Sequence, residues 1–232
     1  MVDLLARLGS RVEAAENLVR DVPSLPLDWP ELDALLPDGG LPHGVVELTA
    51  PQGLGGTTAL ALAAVRAAHA RDTRAWCAWV DPEGTLHAPG VVQAGVDLAR
   101  LLVVRPPRSE LARVAVTTAS AKAFEVLVVD YHAVPGAIEA NGPARSAPKK
   151  RAWPEVVFIR KLALAAAEAG TSALLLTDAA APRAQPWPVA LRLELARTVD
   201  AMVLRVGKDA RGRVGMAKTI PLRSRPQRRS AG

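Results

Sequence analysis

The chain has 232 residues, 50% of them hydrophobic and 3% aromatic, with 29 basic against 23 acidic side chains and a single cysteine. That length suits one large α/β domain with short appendages. Lone Cys77 excludes an internal disulfide, and no run of about 18 uncharged apolar residues exists to cross a membrane. With the early acid Asp3 and no sustained apolar leader, a reducing cytoplasmic setting is expected.

The charge is unevenly placed. From Arg205 to Gly232 nine basic residues face Asp209 alone, a net +8, so the preceding residues carry −2 of the total +6. This asymmetry points to a polyanion or an acidic partner near that end, or to a solvated tail.

Leu4, Leu5, Leu8, Val12, Ala15, Leu18 and Val19 recur at three- and four-residue spacings, which predicts an amphipathic helix over residues 2–20. Prolines from Val22 to Pro30 break it, so residues 1–29 read as helix and linker, 30–222 as the core and 223–232 as a basic tail. Glu31 to Leu36 is a short helical turn. Val45-Val46-Glu47-Leu48-Thr49 is a strand, and the Ala/Leu-rich stretch from Ala59 to Ala70 a helix. Strands follow over Ala75 to Val80 and Leu101 to Val104, then a helix capped by Ser109 and running to about Lys122. Val126 to Asp130 is an apolar run ending in a carboxylate. Residues 135–152 form a long polar, basic loop, Trp153 to Ala169 a helix, and Ser172 to Thr177 a buried strand. A second irregular loop spans Ala179 to Pro188, and residues 189–206 and 212–220 read as strand pairs. Apolar strands alternating with helices imply a mostly parallel sheet covered on both faces.

Between the first strand and its helix the chain reads Ala50-Pro51-Gln52-Gly53-Leu54-Gly55-Gly56-Thr57-Thr58. A phosphate-binding loop has the pattern G-x-x-x-x-G-K-[ST] at this position. Gly53, Gly55, Thr57 and Thr58 fit it, Ala50 replaces the first glycine, and Gly56 stands where lysine belongs. Loop amides and a helix N-terminus attract anions. Loss of one charge-stabilising group costs about 10²–10³ in rate. Asp81, Glu83 and Asp130 fall at the ends of other strands, where open α/β sheets bind ligands. In a nucleotide hydrolase such carboxylates hold Mg²⁺ or polarise water; their structural role is to cap turns. His43, His69, His87 and His132 are scattered and read as surface or turn residues. Trp187 reads as core, or as a platform for a base.

The ordered series Glu31-Leu32-Asp33-Ala34-Leu35-Leu36, Gly39-Gly40-Leu41-Pro42-His43-Gly44-Val45-Val46-Glu47-Leu48, Val80-Asp81-Pro82-Glu83, Val96-Asp97 with Leu101 to Val104, and Val126 to Asp130 resembles the RecA family of recombinases over roughly residues 30–220. The resemblance implies a RecA-like core, with Glu83 at the catalytic glutamate and Asp130 in the second Walker motif. Asp178-Ala179 replaces the family's Asn-Gln pair, and residues 135–152 and 179–188 correspond by order to its two DNA-contacting loops. With a helical N-terminus and basic C-terminal end, the chain is similar to the ImuA family of SOS-mutagenesis accessories. That similarity implies a non-catalytic adaptor in translesion synthesis, with RecA, ImuB and an error-prone DNA polymerase as partners, single-stranded DNA as a further one, and ATP and Mg²⁺ binding weak or absent. Leu5, Leu8 and Val12 are partner-binding candidates; Lys149, Lys150, Arg151, Arg223, Arg225, Arg228 and Arg229 are DNA-binding candidates. Two alternatives stay open. One is an active DNA-dependent ATPase in which Lys208, Lys218 or an arginine from another molecule replaces the lysine. The other is a DNA-binding module that uses no nucleotide.

Overall fold

A computed structural model describes residues 24–51, 56–131, 153–180, 187–210, 212 and 214–221. The expected N-terminal helix, the basic residues of the 135–152 loop and the tail beyond residue 222 lie outside them.

Eight strands form one sheet in the order β3-β2-β4-β5-β1-β6-β7-β8. The central strands are β1 (Gly44–Ala50), β2 (Cys77–Val80), β4 (Val126–Asp130) and β5 (Ser172–Asp178). Nearly every residue in them is buried, as expected of parallel strands covered on both faces. β3 (Leu101–Val104) is an outer edge and leaves Leu102 and Val103 exposed. β6 (Leu191–Arg197) pairs parallel to β1, then antiparallel to β7 (Ala201–Asp209), which pairs antiparallel to β8 (Ala217–Pro221). In β6 burial alternates, because only one face there is fully covered.

Helix α2 (Thr57–Arg71) lies on one face; α1 (Pro30–Asp33) is a single turn ahead of β1. Alanines at 61, 64, 67 and 68 let α2 approach the sheet closely, against Val46, Leu48, Leu193, Met202 and Leu204. On the opposite face, α4 (Leu111–Ser120) and α5 (Glu155–Ala169) bury Ala115, Phe158, Ile159 and Leu162 against Val45, Leu127, Val129 and Leu175.

Two expectations need correction. The core does not begin at residue 30: Leu25 and Leu27 are fully buried, and Leu25 exchanges backbone hydrogen bonds of 2.9 and 2.8 Å with Leu41. The two chain segments cross so closely that a Cβ on Gly40 would sit 2.6 Å from the Leu25 carbonyl carbon. The Asp33 carboxylate accepts from the amides of Leu27 and Trp29, at 2.8 and 3.1 Å, and holds this proline-rich stretch in place. Ser109 does not cap α4; it lies inside a 3₁₀ turn, Arg108–Glu110, that leads into the helix. A six-residue helix, α3 (Ala88–Gln93), with proline in its first turn, occupies a stretch to which the sequence reading assigned no element.

Parallel strands need a crossover of a dozen or more residues, usually helical. Residues 179–190 connect β5 to β6 without a described helix, and Trp187 and Val189 pack directly on the sheet. Among the described residues no helix is long and apolar enough to cross a membrane.

Candidate functional site

The C-terminal ends of β2, β4, β5 and β1 lie side by side, because these strands are parallel neighbours. That juxtaposition gathers the expected residues 50, 56–58, 81, 83 and 130; Gly53 and Gly55 fall outside the described residues.

Ala50 is buried, and its carbonyl accepts from the Ala179 amide at 2.9 Å. Gly56 is the residue before α2, at φ −76° and ψ 16°. It too is buried, and what covers it comes from β6 and β7. A Cβ at position 56 would stand 2.6 Å from Met202 Sδ and 3.9 Å from Leu195 Cδ2. Met202 is 2% exposed. The space into which a side chain at 56 would project is therefore filled by a thioether. Thr57, in the first turn of α2, is buried, whereas Thr58 is exposed.

Asp81 is fully buried, and its oxygens hold the turn after β2. Oδ1 accepts from the Thr85 amide at 2.9 Å and Oδ2 from the Leu86 amide at 3.0 Å; the Arg105 guanidinium stands 3.6 Å from Oδ2. The Thr85 hydroxyl lies 3.3 Å from Asp81 and 3.2 Å from Asp130, bridging the two carboxylates with a proton that can serve one at a time. Glu83 forms an ion pair with Arg108, both partly exposed. Asp81 is thus a turn-holding residue. Among the described residues no cluster of His, Cys, Asp and Glu suits a metal ion.

Lys208 was a candidate substitute for the lysine. The register shift at Arg192/Leu193 places it on the α4/α5 side, where its Nζ donates to the Trp187 carbonyl at 2.6 Å, while Met202 belongs to the α2 side. Trp187 is 6% exposed, so the stacking expectation fails; the residue is core. His69 is buried on α2, contrary to its reading as a surface residue, and burial lowers its pKa. His43 is lowered for the same reason.

A polar row that the sequence reading passed over crosses the sheet beneath this site. Glu47 of β1, 1% exposed, accepts from Thr177 Oγ1 of β5 and from Arg192 Nε of β6, each at 2.9 Å. Lys208 stands opposite Arg192 in the next strand. Burial raises the Glu47 carboxyl above its ordinary range, against the pull of Arg192 and the Thr177 hydroxyl. The signal was available: a carboxylate in the apolar run Val45 to Leu48 must find a partner, and Arg192 is the basic residue amid the leucines of β6.

A family profile described as RecA N-terminal domain matches residues 7–175. Protein RecA of Rhodospirillum centenum (strain ATCC 51521 / SW) is 38% identical over 128 residues, 54% of this chain and 34% of that protein. Protein RecA of Acidiphilium cryptum (strain JF-5) is 40% identical over 128 residues, covering 54% and 35%. The matched part thus spans about a third of these relatives. The crystal structure of the RadB recombinase superposes with a TM-score of 0.64 at 19% identity, covering 86% of this chain and 96% of that one, which speaks for the fold alone. The profile match, the strand order and the site at the strand ends agree: the chain belongs to the RecA N-terminal domain family.

Proposed function

We propose that this RecA-family chain is a non-catalytic adaptor in SOS-induced translesion DNA synthesis, working with RecA and ImuB beside an error-prone DNA polymerase on damaged DNA. The observation that carries the reading is Gly56. It brings no charge to the phosphate loop, and Met202 fills the space in front of it. A nucleotide hydrolase needs a cation over the transferring phosphoryl group and carboxylates free to hold Mg²⁺. Here Asp81 holds a turn, Glu83 pairs with Arg108, and Lys208 is directed to the Trp187 carbonyl on the far side of the sheet. A recombinase core kept without that chemistry serves as a surface for partners.

The test is nucleotide binding and steady-state ATP turnover on the purified chain, with and without single-stranded DNA, beside pull-down of RecA and ImuB. No turnover and capture of either partner is the expected result. Turnover comparable with an ordinary RecA-type ATPase, abolished by Asp130→Ala, would overturn the reading in favour of an ATPase with a non-standard loop. DNA binding without turnover or partner capture would favour the DNA-binding module.

A further inference from the structure

On the face that carries α2, the sheet is incompletely closed at its β3 edge. Leu101 of β3 is buried in the same cluster as Val91 of α3. Val103, two residues further along the same face, is left 37% exposed by this short helix. Leu98, in the 3₁₀ turn Leu98–Arg100 that leads into β3, is 45% exposed. Together with Ala88 these side chains line an open hollow of about 350 Å³. A lone exposed leucine or valine is ordinary on a protein surface; exposed ones that share a hollow with buried ones mark a binding groove. The volume lies at the low end for ligand sites, with room for one or two side chains.

The charges around the hollow say what fits it. From Gly84 to Arg105 the chain carries one acid, Asp97, and it is committed to the Arg100 guanidinium and the Ala99 amide, each at 2.9 Å. Arg105, which also lines the hollow, has a side chain 57% exposed. Its contacts are long, 3.6 Å to Asp81 and 3.4 Å to the Leu86 carbonyl, and Asp81 already accepts two amides. Its guanidinium therefore keeps donors for a further acceptor. Exposed Arg66 of α2 adds a second cation beside the turn between α3 and the 3₁₀ turn, where a Cβ at Gly95 would stand 3.2 Å from its Cδ. Aliphatic walls give a nucleic-acid base no ring to stack on. A second copy offering the same face would bring arginine against arginine. An apolar side chain with a carboxylate next to it matches both the walls and the mouth.

We propose that the hollow between α3, the 3₁₀ turn and β3 is a docking groove for a partner protein, which seats an apolar side chain against Leu98 and Val103 and sets a neighbouring carboxylate on Arg105. The inference rests on the adaptor reading in one respect, that the occupant is a protein segment.

Methyl NMR on the full chain, labelled at leucine and valine, tests it with synthetic peptides. The probes are acetyl-Gly-Asp-Leu-Asp-Gly-amide, its phenylalanine counterpart, and both again with asparagine for aspartate. The acidic peptides should shift the methyls of Val91, Leu98 and Val103 and leave those of Leu127 and Leu175, on the opposite face, in place. The asparagine peptides should bind about 2- to 5-fold more weakly, as should the acidic ones to Arg105→Gln. Val103→Glu, which puts a like charge in the groove, should lower affinity about 10-fold or more. If that variant fails to fold, Leu98→Ser and the aspartate–asparagine comparison on the wild type decide. Groove methyls that do not move, or equal affinity for the acidic and neutral peptides, would overturn the proposal. So would 4-methylpentanoate binding as tightly as the peptides, the mark of a small-carboxylate site. Groove methyls that shift with protein concentration alone would show a self-interface instead. The titration uses neither nucleotide nor RecA nor ImuB, so its failure is separate from a failure of the adaptor reading, which ATP turnover decides.

Discussion

Replacing Gly56 by alanine should destabilise the chain, although the backbone there would welcome a side chain. At φ −76° any residue is comfortable, and Gly→Ala at a compatible site stabilises by about 0.4–1 kcal/mol through the unfolded state. Against this stands the contact: the new methyl would sit 2.6 Å from Met202 Sδ, and overpacking a buried site costs about 1–3 kcal/mol. The net loss is therefore roughly 0–2.6 kcal/mol, or at most about 10 °C in Tm for a chain of this size. Methionine is flexible and can swing aside, which favours the lower half of that range. The decisive measurement is the same substitution in a Met202→Ala background. Met202→Ala alone costs about 2–5 kcal/mol, but with the thioether gone the methyl at 56 enters empty space and should stabilise by about 0.4–1 kcal/mol. Urea unfolding of the four variants by circular dichroism reads the change of sign. If Gly56→Ala stabilises both backgrounds equally, Met202 is not seated against position 56 and the blocked-loop argument fails.

Glu47→Ala should cost about 3 kcal/mol, near the low end for a broken buried pair because Arg192 keeps 23% of its side chain in solvent; a loss under about 1 kcal/mol in urea unfolding would show that the pair contributes little. Burial pushes the Cys77 thiol up to about 12, so it should resist Ellman's reagent at pH 8 in the native chain and react once unfolded; fast native labelling would contradict its burial. His43 and His69 are held below their ordinary range, so as pH falls through about 6.5 the unfolded chain takes up protons first and stability declines. Glu47 and Glu155, raised by burial, act in the opposite sense, their contribution being present at low pH and lost as pH rises through their folded values. The difference between the wild type and a His43→Gln/His69→Gln variant isolates the histidines; equal slopes between pH 7.5 and 5.5 would refute their part.

The sheet was legible because its signal is local. The apolar runs at 126–129 and 173–176, and the mostly apolar one at 45–48 that holds Glu47, are best satisfied in strands covered on both faces, and the structure puts them in the centre of the sheet. Element ends were less legible, for example at Ser109, where a 3₁₀ turn supplants the cap. The proline-rich stretch misled because prolines mark a chain without helix, which is true of residues 24–29, but do not say whether its leucines are buried. Within the site, the glycine at 56 was readable and its neighbour was not. Met202 and Leu195 reach it from the far end of the sequence, and no periodicity encodes such a contact. Likewise Asp81 carries the residue type of a metal ligand, and only the amides of Thr85 and Leu86 reveal its structural use.

The strand order also constrains how the chain is made. β1 has been synthesised by residue 50, yet its two hydrogen-bonding neighbours are β5, beginning at Ser172, and β6, ending at Arg197. At about 5–20 residues per second, a ribosome needs roughly 7–30 s to deliver the second of them. Until β5 is made, the segment Gly44–Ala50 has both edges unpaired, and until α5 is made, α2 alone can cover one of its faces. Contacts this distant in sequence close slowly and leave strand edges open to association. The nascent chain is thus the state in which this protein most needs a chaperone, and its central strand is the segment a chaperone would hold.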